Sequence, residues 1–229
     1  MRIFAIKNDG DKKTLAYLLY YEKEKLFYIE LPDDANSWET PLILSSFAKR
    51  NITTVNSYWS KMWVEQRIVP SDRQNLGQVL KENNLSEYDE FALLMLAEGR
   101  CAQDDFYLEE ISDIPADIAK RYEKKIEDVV PLRNYWLLVF FRDGAVKKCD
   151  VRNFFENNKA METYLTLKKD AFDYVSVQPG GYGICWEENM TVTDTELYDS
   201  GVSIPLSLSD FKDFVEHRVV NSSEAAELL

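Results

Sequence analysis

The sequence is poor in the residues that break, staple or metallate a fold. Its 229 residues include 8 glycines and 7 prolines, which excludes collagen-like and low-complexity chains. Cysteine occurs three times, as Cys101, Cys149 and Cys185, widely spaced and without a Cys-x-x-Cys pair. That usage fits a reducing cytoplasm, with structural thiols rather than a disulfide framework. One histidine, His217, joins these scattered cysteines, so no metal site and no cofactor is expected. No apolar run approaches the roughly 18–20 residues that span a bilayer. The opening Met1-Arg2-Ile3-Phe4-Ala5-Ile6-Lys7 is too short and too soon charged for a signal peptide. A cytoplasmic protein with no membrane role is expected.

Positive charge is scarce as well. Lys and Arg number 27 against 40 Asp and Glu, a formal charge of −13. Up to Ser112 there are 13 basic and 19 acidic residues, and after it 14 and 21, so the two parts carry −6 and −7. Phosphate binding needs clustered Lys and Arg, so nucleic acid is not expected as a partner. The acidic surface reads as a solvated face able to attract basic partners.

What remains is ordinary for a folded protein, with 45% apolar and 13% aromatic residues. The pattern predicts an α+β protein of two small domains, each with antiparallel strands packed against helices. An N-terminal domain covers 1–112, a helical connector 113–131, a C-terminal domain 132–206 and C-terminal helices 207–229. The first domain opens as a meander over Arg2–Lys7, Thr14–Tyr21 and Lys25–Leu31, with polar turns between them. A helix follows, with Leu42, Ile43, Phe47 and Ala48 on its inner face. Val55–Ile68 fits either a helix, through Tyr58, Trp59, Met62 and Trp63, or a strand. Ser71-Asp72 is read as the cap of a helix running to Asn83, and Glu87–Glu98 as a second helix stopped by Gly99. Arg100–Ile111 looks extended. From Pro115 a polar helix runs to Asp128, and Pro131 ends the connector.

The second domain restarts with a strand at Tyr135–Phe141, an Asp143-Gly144 turn and a return strand over Ala145–Val151. Asn153–Leu167 is at least partly helical. A second hairpin joins Phe172–Val177 to Tyr182–Trp186 through Pro179-Gly180-Gly181. Ser209–Val219 is an amphipathic helix with Phe211, Phe214 and Val215 on its apolar side.

The run Val139–Gly144, then Asp150, Leu165, the Phe172–Val177 strand, Trp186, Thr193-Asp194 and Leu197-Tyr198 resembles the bacterial family known as domain of unknown function 2442. The resemblance covers roughly Arg133–Ser203. Glu187-Glu188-Asn189-Met190 stands where the family usually has Asn-Gly after the tryptophan. The resemblance implies a compact α+β domain, sometimes joined to a helix-turn-helix or encoded beside toxin–antitoxin-like partners, and it brings no catalytic residue. The chain ends Asn221-Ser222-Ser223-Glu224-Ala225-Ala226-Glu227-Leu228-Leu229, which is similar to the start of an excisionase-type helix-turn-helix. No recognition helix follows, so a longer protein would be needed to read DNA.

Several constellations invite chemistry. Arg100-Cys101-Ala102-Gln103-Asp104-Asp105 is the most polar short cluster beside apolar segments, and carboxylates there would suit a small hydrolase or nucleotide-processing enzyme. A cysteine nucleophile lacks a nearby base, since His217 lies over a hundred residues away. Pro179-Gly180-Gly181-Tyr182-Gly183 lacks the Lys-Ser/Thr of a phosphate loop and reads as a turn. The two helices of 72–100 would present Glu87, Asp89 and Glu90 to phosphate, so a packed helical pair is expected there. Trp59 and Trp63 read as core or as a partner surface. Arg100, Asp104, Asp105, Trp59, Trp63 and Trp186 are therefore the interaction candidates. No catalytic, cofactor or metal residue is assigned. The expected function is a non-enzymatic interaction or regulatory module with a protein partner or a second copy of itself.

Overall fold

The computed structural model describes residues 1–168, 170–187 and 190–218. It divides into two compact units, Met1–Ile118 and Ala119–Leu229, and the elements of both are an α+β mixture.

The first unit is built on strands β1 (Arg2–Asn8), β2 (Thr14–Tyr21), β3 (Leu26–Glu30), β4 (Thr54–Val55) and β5 (Phe106–Ile111). Its helices are α1 (Leu42–Lys49), α2 (Ser57–Glu65), α3 (Leu76–Glu82) and α4 (Glu90–Leu96), and α5 (Ala116–Glu123) follows. The meander forms as predicted, and β5 returns to the far side of β1, giving the antiparallel order β4-β3-β2-β1-β5. Phe4, Ile6, Leu18, Phe27 and Ile29 form one face of this sheet, and Leu44, Phe47, Trp63 and Leu94 from the helices close over them. At roughly 25 cal/mol per Å² of apolar area, this burial dominates the unit's stability. Arg2 and Glu110 hold a bidentate pair at 2.8 and 2.6 Å across β1 and β5. Being exposed, it adds about 1 kcal/mol or less.

The second unit has β6 (Ile126–Pro131), β7 (Trp136–Phe141), β8 (Val146–Asp150), β9 (Ser176–Val177), β10 (Gly183–Cys185), β11 (Thr191–Thr193) and β12 (Val202–Ser203). Its helices are α6 (Lys159–Leu167), α7 (Asp194–Ser200) and α8 (Leu208–Arg218). One antiparallel sheet runs β12-β8-β7-β6 and a smaller one β11-β10-β9. Strand β7, Trp-Leu-Leu-Val-Phe-Phe, is apolar at every position because both its faces are covered. Leu137, Val139 and Phe141 join the core with Leu165, Ile184 and Trp186, while Leu138 and Phe140 join Phe211 of α8. Gly181 (φ +77) lets the chain pass close to β6, where an added Cβ would lie 2.2 Å from the Ile126 carbonyl oxygen.

Four local readings are corrected. The connector is helical only over α5: Ile126–Pro131 is a strand whose register with β7 runs from Ile126↔Phe141 to Pro131↔Leu137. Its exposed or half-buried Glu127 and Asp128 disguise it as a continuation of the polar helix. The buried stripe of α1 is Leu44, Phe47 and Ala48, spaced i, i+3, i+4, so Leu42 points outward, 90% exposed. The helix expected from Ser71-Asp72 begins at Leu76 instead, because turns close first from Arg73 N–H to Pro70 O and from Leu76 N–H to Arg73 O. Ala171–Tyr174 is a 3₁₀ turn, so the strand of the second hairpin shrinks to Ser176–Val177. The side chains of Phe214, Val215 and His217, and the excisionase-like end, lie outside the described residues.

Candidate functional site

A cleft of about 660 Å³ opens in the first unit beside α1, the C-terminal part of α2 and the segment 103–106. The approach to α1 is set by a compact turn. Asn36 accepts from the Trp38 N–H at 3.0 Å through its side chain, and from the Thr40 hydroxyl at 2.8 Å through its carbonyl oxygen. Pro41 then starts the helix and leaves Trp38 and Leu42 standing at the cleft. Asn56 caps α2 by accepting from the Trp59 N–H at 3.1 Å, which fixes the helix phase so that Trp63 faces the core.

Arg67 lies one turn beyond Trp63. Its guanidinium carbon sits 3.8 Å from the Trp63 ring centroid, and Nη1 donates to the Trp63 carbonyl oxygen at 3.4 Å. Nη2 donates to Asp104, whose other carboxylate oxygen accepts from the Phe106 N–H at 3.2 Å. The Arg67 side chain is 1% exposed and that of Asp104 25%. Burial pulls the guanidinium below its ordinary pKa, while Asp104 and then Cys101 act to hold its charge. Two donors in this corner, Arg67 Nε and Trp63 Nε1, are buried and find no partner. Such orphans are uncommon in native proteins.

The structure thus brings Trp63 and Asp104 into one site. Arg100 is elsewhere: it pairs with Asp9 at 3.3 Å and lies over the Tyr107 ring at 4.7 Å. The Asp105 side chain is exposed, and its backbone carbonyl accepts from the Asp9 N–H at 2.8 Å. Trp59 stands on the surface of α2, edge-on to Phe47 and Tyr58. Trp186 belongs to the second unit, stacked on Phe172 with its indole N–H donating to the Phe172 carbonyl oxygen at 3.0 Å. Sequence reasoning passed over Arg67, Lys49 and Trp38. For Arg67 the signal was an aromatic, Trp63, followed four residues later by a cation, the spacing that stacks one on the other along a helix.

The second unit's motif residues serve the scaffold. Asp143 accepts from the Ala145 N–H at 2.9 Å to shape the hairpin, and its other carboxylate oxygen accepts from the Tyr198 hydroxyl at 2.8 Å. The Asp-Gly turn and the Leu-Tyr pair are therefore one tie between the β7–β8 hairpin and α7. Thr193 and Glu196 form a capping box at the start of α7, and Leu197 is fully buried behind it. Asp150 holds Arg152 through its backbone and side chain. Lys125 and Asp194 form a buried ion pair at 2.9 Å with the ammonium 4.1 Å from the Tyr182 ring centroid. Burial pushes the Cys149 thiol up to about 12.

Residues 126–203 match the family of proteins of unknown function DUF2442. The DUF2442 match begins at Ile126, the first residue of β6, so it includes the strand that the resemblance over Arg133–Ser203 left out. No curated protein and no solved structure matches the chain. Among the described residues no group of three or more His, Cys, Asp or Glu side chains is set to hold a metal ion. No helix among them is long and apolar enough to cross a membrane.

Proposed function

We propose that the protein is a non-enzymatic interaction module that engages a protein partner through the first unit, with the DUF2442 segment as its companion domain. The observation that carries this is a concentration of exposed apolar side chains. Trp38, Leu42, Ile52, Tyr58 and Trp59 are all exposed and lie within one short stretch of the chain, Trp38 by 88% and Leu42 by 90%. Exposed aromatic side chains are the kind that anchor protein interfaces. The acidic remainder of the surface favours a partner with basic charge around its contact. Hydrolysis by carboxylates near Asp104 is the weaker reading, because Asp104 is committed to Arg67 and to the Phe106 N–H. A regulatory role in the bacterial cytoplasm agrees with the cysteine usage and with the resemblance of the second unit.

The test replaces Tyr58 by the photo-cross-linker p-benzoylphenylalanine in the full chain, in cells, with the same replacement at the more exposed Tyr174 of the second unit. The expected result is one predominant cross-linked protein from position 58 and none from position 174. Equal cross-linking at both positions, or a second copy of this chain as the cross-linked species, contradicts the reading.

A further inference from the structure

We propose that the cleft beside α1 and α2 is a binding site for a small organic monocarboxylate with an apolar body. Its walls supply the apolar half of the match, through Trp38, Leu42, Ile43 and Phe106. A volume of about 660 Å³ is the size of a metabolite site rather than a surface dimple. The polar half lies at one corner. Arg67 has spent Nη1 and Nη2 within the protein, yet its Nε and the neighbouring Trp63 Nε1 donate to nothing. Both residues line the cleft, and both atoms are buried. A carboxylate reaching that wall brings two acceptor oxygens to two idle donors, and a small turn of the guanidinium on the indole face presents its free edge.

The charges select a monoanion. Arg67 is balanced by Asp104, and Glu39, also at the cleft, is balanced by Lys13. Lys49 lines the cleft with its ammonium 5.5 Å from the Trp38 ring centroid and makes no ion pair among the described residues. One uncommitted positive charge suits one carboxylate. A dianion such as phosphate would meet Asp104 and Glu39 with one charge unmatched. The cleft shares Trp38 and Leu42 with the proposed protein-partner surface, whereas Tyr58 and Trp59 do not line it, so ligand binding and partner capture are read by separate variants.

The test titrates the full chain by calorimetry with acetate, hexanoate, phenylacetate and indole-3-acetate, beside phenylacetamide and inorganic phosphate. Saturable binding in the millimolar range or tighter is expected for at least one of the larger acids. Acetate, phenylacetamide and phosphate should bind at least about tenfold more weakly, as expected if charge and body both count. Lys49→Gln, at an exposed position, should weaken the acid several-fold with an unchanged melting temperature, and Arg67→Lys should abolish binding. The proposal is overturned if no acid binds, if the amide or phosphate binds as well as the best acid, or if binding survives both substitutions.

Discussion

Each unit of this protein buries one cation beside one carboxylate and lays the cation on an aromatic ring. In the second unit the ammonium of Lys125 rests 4.1 Å from the Tyr182 ring centroid and 2.9 Å from Asp194, with both side chains at least nine-tenths buried. In the first unit the guanidinium of Arg67 rests 3.8 Å from the Trp63 ring centroid, but its partner Asp104 is a quarter exposed. There the pair borders a cleft and two donors are left over. The same pairing lies inside the core of one unit and at the edge of a cleft in the other. What separates the two pairs is the access of water to the carboxylate.

The largest expected effect follows from that difference. Lys125→Met leaves Asp194 buried and uncompensated and should cost about 3–5 kcal/mol in urea unfolding. The double variant Lys125→Met/Asp194→Leu should recover much of that loss. Arg67→Met leaves a carboxylate that water can reach, so a cost of about 1–2 kcal/mol is expected. Equal costs for the two single substitutions would erase the contrast.

A smaller effect tests the tie made by the family motif. Tyr198→Phe removes the hydroxyl that donates to Asp143 and should lower stability by about 0.5–1.5 kcal/mol without changing the fold. Tyr198→Phe should add little to Asp143→Ala, which already removes this bond together with the turn contact to the Ala145 N–H. Full additivity would mean that the hairpin and α7 are held by other contacts.

Thiol chemistry gives the finest test. Cys149 is buried with its thiol pushed up to about 12, whereas Cys101 and Cys185 are half-buried. The folded chain should therefore leave one thiol unmodified by a thiol reagent at pH 8 and release it in urea. Because this pKa is raised on folding, its contribution to stability is complete below the unfolded thiol value near 8.5 and is lost progressively as pH rises from there toward 12. A Cys149 that reacts as fast as Cys101 in the folded chain would show that the core of the second unit opens readily.

Much of the fold was legible where one physical signal dominated. Alternation in Arg2–Lys7 and Lys25–Leu31, with the apolar and aromatic run Thr14–Tyr21 between polar turns, placed β1 to β3, and the Asp143-Gly144 turn between apolar runs placed the β7–β8 hairpin. Legibility failed where two signals competed. In β6 the charged Glu127 and Asp128 continued the polar pattern of α5 and hid the apolar Ile126, Val129 and Val130. In α1 the apolar run Leu42-Ile43-Leu44 allowed more than one stripe, and packing chose Leu44 over Leu42. The cleft was half legible: Trp63 and Asp104 were singled out for unrelated reasons. Arg67 went unread because its role depends on a segment thirty-seven residues away in the chain.

The division of labour between the units is tested most directly by comparing three full-length chains for capture of the cross-linked cellular partner, with the melting temperature of each recorded. These are the unaltered protein, Leu42→Ala/Tyr58→Ala in the first unit and Tyr198→Phe in the second. The exposed pair should lose the partner at an unchanged melting temperature, because neither side chain is buried. Tyr198→Phe should melt lower and keep the partner in full. Partner loss in Tyr198→Phe with retention in the exposed pair would contradict the account and move the interaction surface to the DUF2442 segment.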